Sequence, residues 1–549
     1  MIKKTKHNTP LYFLPLGGSN EIGMNLNLYG YNDQWIMVDL GVTFGSDLGV
    51  EVLMPDPAFI VERRKKLLGL VLTHAHEDHI GAVPYLWERL KCPIYATPFT
   101  LWLVKEKLKE VGLHKEVPLI EIPLGGSLQL REFNIEFIDI THSIPEPNVL
   151  AIKTPYGTIV HTGDWKVDPA PMLGKSTDIK ALKNLGDEGV LALVCDSTNV
   201  FVEGRSGSEA DVREKLIDLV AKQTGRVFIA CFASNVARLE TCALAAKKSG
   251  RKAALVGRSL SRMDQAARQS GYLKDIDSFF GEEDVKKIER SKSLVICTGS
   301  QGEPRSALAR IASGQHPRVK IEEGDSVIFS SRMIPGNEDA IKRLQENLIE
   351  AGAFVINASY EDDIHVSGHP ARDELKDMYK WVKPEILVPV HGEQAHLREH
   401  AAFGHENGIK NTIVPHNGSL IQLAPGKPKI VDDIGAARLA LDGEVIVPFS
   451  GIQMRDRHRL MNSGVVFVSA TLSRSHMLKG IPEITVLGVV EEGSEESTIE
   501  VIQDALQHAF TKAENIEDRE DAQELIRITT RRVINSLRGK KPPVVVHLL

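Results

Sequence analysis

The chain is poor in cysteine. Five occur in 549 residues, Cys92, Cys195, Cys231, Cys242 and Cys297, and no two form a Cys-x-x-Cys pair. An odd, scattered set excludes a disulfide scaffold and a cysteine-built zinc site, and it predicts reduced thiols in a cytoplasm. Long apolar runs are also missing. The stretch 11–16 is broken by Pro15, and nothing approaches the roughly 20 residues of a membrane-spanning helix, so neither a signal peptide nor a membrane partner is expected. Positive charge is not in excess: 66 Lys and Arg stand against 73 Asp and Glu, for a formal net charge of −7. Nucleic-acid surfaces need cations to meet phosphate, so this balance weighs slightly against such a partner. A basic groove or a metal centre would reverse the local field.

What is present is a globular composition, 42% hydrophobic and 25% charged, in a chain long enough for about two to four domains. Up to about residue 205, short apolar strands (34–38, 67–73, 134–140, 158–162) each run into a residue capable of chemistry. Residues 101–111 carry apolar positions at helical spacing. From 206 to 360 the rhythm becomes strand–helix–strand, with strands at 226–232, 253–256, 293–298, 326–330 and 354–357. That alternation implies a parallel sheet covered on both faces, set in as a separate domain. Residues 361–430 return to the first pattern, with 386–390 running into His391. The Pro/Gly-rich stretch from Ala424 reads as a boundary, 431–450 as a linker, and 451–549 as a small α/β domain with helices at 497–513 and 519–537 and a closing strand at 543–549.

The strongest signal is Thr73-His-Ala-His-Glu-Asp-His79. Three imidazoles and two carboxylates follow a buried strand and precede a helix. Imidazole nitrogen and carboxylate oxygen are the donors that borderline cations such as Zn²⁺ take. His74 and His76, two apart, point together from an extended segment, and Asp78 and His79 reach across the turn. His142 and Asp164 recur at strand ends downstream. Each alone would be an ordinary loop histidine or a turn aspartate; their recurrence is what changes the reading. Asp39, after Trp35-Ile-Met-Val, is either a turn-capping residue or the group that orients a ligand imidazole.

In that order, Asp39, His74-x-His76-x-Asp78-His79, His142 and Asp164 resemble the motifs of the metallo-β-lactamase superfamily. The resemblance implies an αββα sandwich holding two Zn²⁺ ions, with Mn²⁺ or Mg²⁺ as alternatives. His74, His76 and His142 would hold one ion, Asp78 and His79 the other, and Asp164 would bridge them. Asp196 in Leu193-Val-Cys-Asp196-Ser-Thr-Asn199, the long insertion, His365-Val-Ser-Gly-His369 and Pro389-Val-His391-Gly-Glu393 resemble the β-CASP nucleases. His391 would then complete the second metal's ligands. Phe232-Ala-Ser-Asn235, Cys297-Thr-Gly-Ser-Gln-Gly-Glu-Pro304 and Ile334-Pro-Gly-Asn-Glu338 carry the likeness to the bacterial ribonuclease J group, which weakens after about residue 430.

That resemblance implies a ribonuclease of RNA decay and maturation. It would act on single-stranded RNA as a 5′→3′ exonuclease at 5′-monophosphate ends and as an endonuclease. Asp78, Asp196 and His369 would be its catalytic groups. Ser234, Asn235, His365, Ser367, Gly368 and His369 would grip the RNA phosphate, although Ser234 and Asn235 also read as an ordinary helix cap. A homodimer or homotetramer, and membership of an RNA degradation complex, are further expectations. The competing readings are a β-CASP nuclease acting on DNA and a catalytically weak scaffold of a degradation complex.

Overall fold

The computed structural model describes residues 8–45, 48–334, 336–358, 361–513 and 516–549. Pro335, in the motif beginning at Ile334, lies outside them. The chain divides into two units: Met1–Thr43 with Met54–Ala436, and Phe44–Leu53 with Ala437–Leu549.

The first unit is built on two sheets that share one core. An eight-stranded sheet includes Leu11–Gly17, Leu26–Tyr31, Gln34–Val38, Leu67–Val71 and Ser419–Ala424. A seven-stranded sheet includes Phe133–Asp139, Asn148–Thr154, Gly157–His161, Val190–Asp196 and Pro384–Val390. Alternation along each strand decides which face meets what. Leu150, Ile152, Ile159, Ala192 and Val194 point between the sheets, against Phe13, Tyr29, Ile36 and Val71. Their neighbours Val149, Ala151, Val160 and Leu193 point outward, against Leu182, Leu375, Met378 and Phe403 on helices Ile179–Glu188, Arg372–Val382 and Gln394–Glu406. This is the expected sandwich.

Between the sandwich strands Val190–Asp196 and Pro384–Val390 the chain forms an all-parallel five-stranded sheet, in the order Lys252–Val256, Ser293–Cys297, Val227–Ala230, Ser326–Phe329, Phe354–Ile356. Its strands are apolar on both faces because helices cover both. Ile229, Ile296 and Ile328 pack with Leu216, Leu239 and Leu260. Phe228, Val295 and Val327 pack with Leu308, Ile311 and Leu344.

The second unit pairs Val465–Leu472 with Leu478–Leu487 on one side and with Val544–Leu548 on the other. Helices Glu495–Lys512 and Arg519–Arg538 bury Ile502, Leu506, Phe510, Ile526 and Ile534 against this sheet. Asp518 caps the last helix by accepting from the amides of Glu520 and Asp521. One expectation needs correction, and one element was not expected. The 431–450 stretch is mostly strand: Lys429–Asp433, Arg438–Asp442 and Val445–Pro448. These strands are short and mostly exposed, with none of Lys429–Asp433 buried, so their apolar residues follow no buried-face alternation. Residues 451–464 also contain a helix, Ile452–Ser463. It buries only Met454 among its residues, so no apolar periodicity announces it. Among the described residues, no helix is long and apolar enough to cross a membrane. All five cysteines are free and buried.

Candidate metal centre

The site residues stand at the ends of strands from both sheets. Asp39 follows Gln34–Val38, His74 follows Leu67–Val71, and His142 follows Phe133–Asp139. Asp164 follows Gly157–His161, Asp196 ends Val190–Asp196, and His391 follows Pro384–Val390. Parallel pairing sets Val194 beside His161 and Val390 beside Asp196, so three of these turns emerge at one edge. Asp39 (φ 63°) and His391 (φ 53°) hold the left-handed conformation that non-glycine residues rarely adopt, a strain tolerated where the surroundings impose it. Gly163 has φ +55°, and a Cβ there would stand 3.0 Å from the Thr73 Cβ, so glycine lets the Asp164 turn lie close over the His74 turn.

Two groups of donors result, and Asp164 belongs to both: His74, His76, His142 and Asp164, then Asp78, His79, Asp164 and His391. In the first pocket, His76 Nδ1 lies 3.1 Å from His74 Nε2 and 3.0 Å from His142 Nε2. Asp164 Oδ2 lies 3.8 Å from both His74 Nε2 and His142 Nε2. In the second, Asp164 Oδ1 lies 3.2 Å from His79 Nε2 and 2.8 Å from His391 Nδ1, and Asp78 Oδ2 lies 3.5 Å from the Nε2 atoms of His79 and His391. Donors about 2.0–2.1 Å from a tetrahedral zinc stand roughly 3.3 Å apart, so both pockets have a suitable span.

The outer nitrogens support the same fit. Thr73 donates its hydroxyl to Asp39 Oδ2 (2.8 Å), so it is free to accept from His74 Nδ1 at 3.0 Å. His79 Nδ1 donates to Asp39 Oδ2 at 2.7 Å. His142 Nδ1 donates to the Gly368 carbonyl at 2.6 Å, and His76 Nε2 donates to Ser234 Oγ at 3.0 Å. His74, His76, His79 and His142 thus each have one nitrogen held from outside and the other facing the pocket, as in a metal-binding histidine. Buried Asp164 Oδ1 has no hydrogen-bond donor despite the nitrogens around it, which is how an oxygen aimed at a cation looks.

Electrostatics separates the pockets. Burial holds His74 and His142 well below the usual imidazole range and lowers His76 to about 4. Burial opposes charge on His391 too, but the carboxylates of Asp164, Asp196 and Asp78 outweigh it and raise His391 to about 9; His79 is raised likewise by Asp164, Asp78 and Asp39. A cation entering the second pocket at neutral pH therefore displaces protons, whereas the imidazoles of the first pocket are already neutral. Zinc affinity of one pocket should climb as pH rises towards about 9 and then level off, while the other stays flat once the pH is well above about 4. Calorimetry of zinc binding in buffers of different ionisation enthalpy checks this, and an absence of proton release at pH 7 would contradict it.

A third group adjoins the first two. His369 Nδ1 lies 2.9 Å from Asp196 Oδ2 and 4.0 Å from Asp164 Oδ2. Asp196 is anchored through Oδ1, which accepts from the Thr198 amide (2.8 Å) and hydroxyl (2.7 Å). Asn199 donates to Ser367 Oγ and to the His369 carbonyl, at 2.8 and 3.0 Å, and so fixes the end of the 365–369 turn. A Cβ on Gly368 would lie 2.7 Å from His142 Cε1, so only glycine lets this backbone reach His142. His365 lies at a tilt to Phe232, with ring centroids 6.4 Å and planes 57° apart. Burial, then the charges of Arg238, Lys166 and Arg332, keep its imidazole neutral.

Asn235 caps helix Val236–Lys248 by accepting from the Arg238 amide, and its Nδ2 donates to Glu209 Oε1 at 2.9 Å. The structure thus gives Asn235 the cap role and sets Ser234 on His76. Sequence reasoning passed over Asn25, whose Nδ2 lies 3.1 Å from His79 Nε2 and 3.3 Å from His391 Nδ1. It also passed over Thr73, Thr198 and Arg238. Thr73 and Thr198 stood inside the quoted motifs; nothing in the sequence marked Asn25 or Arg238.

Known proteins share these features. Residues 25–227 match the metallo-beta-lactamase superfamily, and residues 224–348 match the ribonuclease J beta-CASP domain. Residues 355–415 match a Zn-dependent metallo-hydrolase RNA specificity domain, and residues 452–549 the ribonuclease J C-terminal domain. The chain is 44% identical to ribonuclease J of Sinorhizobium meliloti over 98% of this chain and 97% of that protein. It is 38% identical to ribonuclease J 1 of Streptococcus pyogenes over 86% of each, and 35% identical to ribonuclease J2 of Bacillus subtilis over 93% of each. A crystal structure of a protein of unknown function from Enterococcus faecalis shares the fold, with a TM-score of 0.51 at 16% identity, covering 75% of this chain and 99% of that one. With a carboxylate shared between two histidine pockets, a β-CASP region between the halves of the sandwich, and full-length similarity at this level, the chain belongs to the ribonuclease J family.

Proposed function

We propose that the chain hydrolyses phosphodiester bonds of single-stranded RNA at a two-metal centre. It works as a 5′→3′ exonuclease on 5′-monophosphate ends and as an endonuclease, in RNA decay and maturation. The observation that carries this is Asp164, whose two oxygens address two separate donor groups beside the Asp196–His369 pair. His74, His76, His142 and Asp164 Oδ2 would hold one cation; Asp78, His79, His391 and Asp164 Oδ1 would hold the other. The imidazole-rich donor set favours Zn²⁺, with Mn²⁺ or Mg²⁺ taking its place according to availability. Bound divalent cations supply Lewis acidity and bring the pKa of a water down to about 7.

The remaining work falls to side chains. Asp39 and Thr73 fix the tautomers of His79 and His74. Asp196 accepts from His369 Nδ1, orients the ring and holds its proton, against the opposing effect of burial. His369 can then protonate the leaving 3′ oxygen, which places the phosphate on the 5′ end of the downstream product. His365, Ser367, Gly368 and Ser234 would cradle the terminal phosphate. Exposed Arg332, beside His365 and without an ion pair among the described residues, supplies positive charge there.

Digestion of one RNA carrying a 5′-monophosphate, 5′-triphosphate or 5′-hydroxyl tests this. Hydrogen bonds to a charged phosphate contribute about 1.5–3 kcal/mol each, so the monophosphate should be consumed at least about tenfold faster than the hydroxyl. Equal rates would remove the phosphate cradle, and faster digestion of matched single-stranded DNA would make the substrate DNA. The strand Val544–Leu548 is paired along one edge only within its sheet, and its free edge suits a second copy of the chain. A monomeric mass at micromolar concentration would refute this homo-oligomer.

A further inference from the structure

The two pockets differ in where their outer hydrogen bonds come from. In the second, His79 is held by Asp39, and Asn25 lies against His79 and His391; all these groups belong to the sandwich. In the first, one imidazole is held from the parallel-sheet region and another from the turn by which the chain leaves it. His76 Nε2 donates to Ser234 Oγ, in the turn after the central strand of the parallel sheet, and His142 Nδ1 donates to the Gly368 carbonyl, in the turn that leads out of that region.

Both turns are fastened by one buried guanidinium. Arg238, fully buried, reaches Glu209 through Nε (3.1 Å to Oε2) and Nη2 (3.0 Å to each oxygen), and Ser330 through Nη1 (2.8 Å to the carbonyl). Glu209 Oε1 also accepts from Asn235, adjacent to Ser234, and Ser330 Oγ donates to the Ile364 carbonyl, adjacent to His365. Glu209 is in turn tied to the sandwich, because its amide donates to Asp168 Oδ2 and Ser208 Oγ donates to Asp168 Oδ1. Asp168 pairs with Lys166 Nζ at 3.2 Å, two residues beyond Asp164.

We infer that Ser234 and Arg238 are positioning residues for the first pocket alone, so that the β-CASP region sets the affinity of one cation and leaves the other to the sandwich. The physical cause is directional. An imidazole whose outer N–H is held by a fixed acceptor keeps its inner lone pair aimed, and losing such a partner typically costs about 10–100-fold in metal affinity. Arg238 acts one step further out, by fixing where Ser234 and the 364–369 turn stand. The inference rests on the two-pocket reading and needs no RNA cleavage to be tested.

The test is equilibrium competition of Co²⁺ between the full-length protein and a chromogenic chelator. It compares wild type, Ser234→Ala and Ser234→Thr, each also in a His391→Ala and a His142→Ala background. Wild type should bind two equivalents. Ser234→Ala should weaken one of them about 10–100-fold and leave the other within about twofold, and Ser234→Thr, which keeps the hydroxyl, should restore binding. The loss should persist with His391→Ala, where the first pocket is the intact one, and vanish with His142→Ala. Arg238→Lys should show a smaller loss of the same equivalent. Unchanged affinity in Ser234→Ala would overturn the inference, as would an equal loss in both backgrounds. A wild-type protein binding fewer than two equivalents would overturn the two-pocket reading, and the inference with it.

Discussion

Replacing Asp164 with asparagine is expected to lower RNA hydrolysis by about 10³-fold or more and to strip metal from both pockets. The substitution keeps the shape but removes the charge and replaces one oxygen with an NH₂ group. That group cannot ligate, and it would stand where Oδ1 or Oδ2 now faces a ring of imidazole nitrogens. Metal-ion stabilisation of a phosphoryl transition state is worth several kcal/mol, and each 1.36 kcal/mol is about tenfold in rate. Asp164 is also the group whose carboxyl the neighbouring His391 and His79 hold well below the usual range despite burial, so the asparagine variant removes the largest of the carboxylate charges that face these two imidazoles. Metal analysis and single-turnover kinetics on the folded variant check both parts. Activity within tenfold of wild type, with two ions retained, would refute a shared carboxylate.

Loss of the His369 imidazole should cut kcat by about 10²–10⁴-fold, the usual contribution of a positioned general acid, while bound metal stays unchanged. The effect should shrink on a phosphodiester with a nitrophenolate leaving group, which departs without a proton. His369→Ala that slows both substrates equally would make the residue structural. Asp196→Asn gives a second signature. Burial lowers the His369 pKa and Asp196 raises it, with a net rise; removing the carboxylate therefore lowers it. A general acid works while protonated, so the basic limb of the kcat–pH profile should move to lower pH in Asp196→Asn. A basic limb that stays in place would detach Asp196 from the acid.

The dense cluster from His74 to His79, with His142 and Asp164 recurring at later strand ends, was readable in the sequence, whereas Asp196, His391 and the division into two pockets came from the family resemblance. Residues at the ends of neighbouring strands emerge together: Asp39 and His74 at the end of one sheet, and Asp164, Asp196 and His391 at the end of the other. The parallel sheet was equally plain, because strands buried on both faces read as continuous apolar runs such as Val227–Ala230 and Ser293–Cys297. What stayed hidden depends on contacts far apart in sequence. Ser234 sits 158 residues from His76, and its helix-start position admitted both a cap and a phosphate site. Neither reading included a bond to a ligand imidazole. Arg238 looks like any helical arginine until Glu209 and Ser330 are folded around it. The helix Ile452–Ser463 and the strands of 431–450 escaped because they bury too little for patterning to mark them.

The most direct measurement of the central claim is digestion of a 5′-monophosphorylated RNA by metal-loaded protein in oxygen-18-enriched water, followed by mass spectrometry of the ends. Hydrolysis at this centre should place one solvent oxygen on the 5′-phosphate of each downstream product and leave a 3′-hydroxyl upstream, and metal-stripped protein should produce neither. A 2′,3′-cyclic phosphate, or cleavage that survives metal removal, would contradict a two-metal phosphodiesterase.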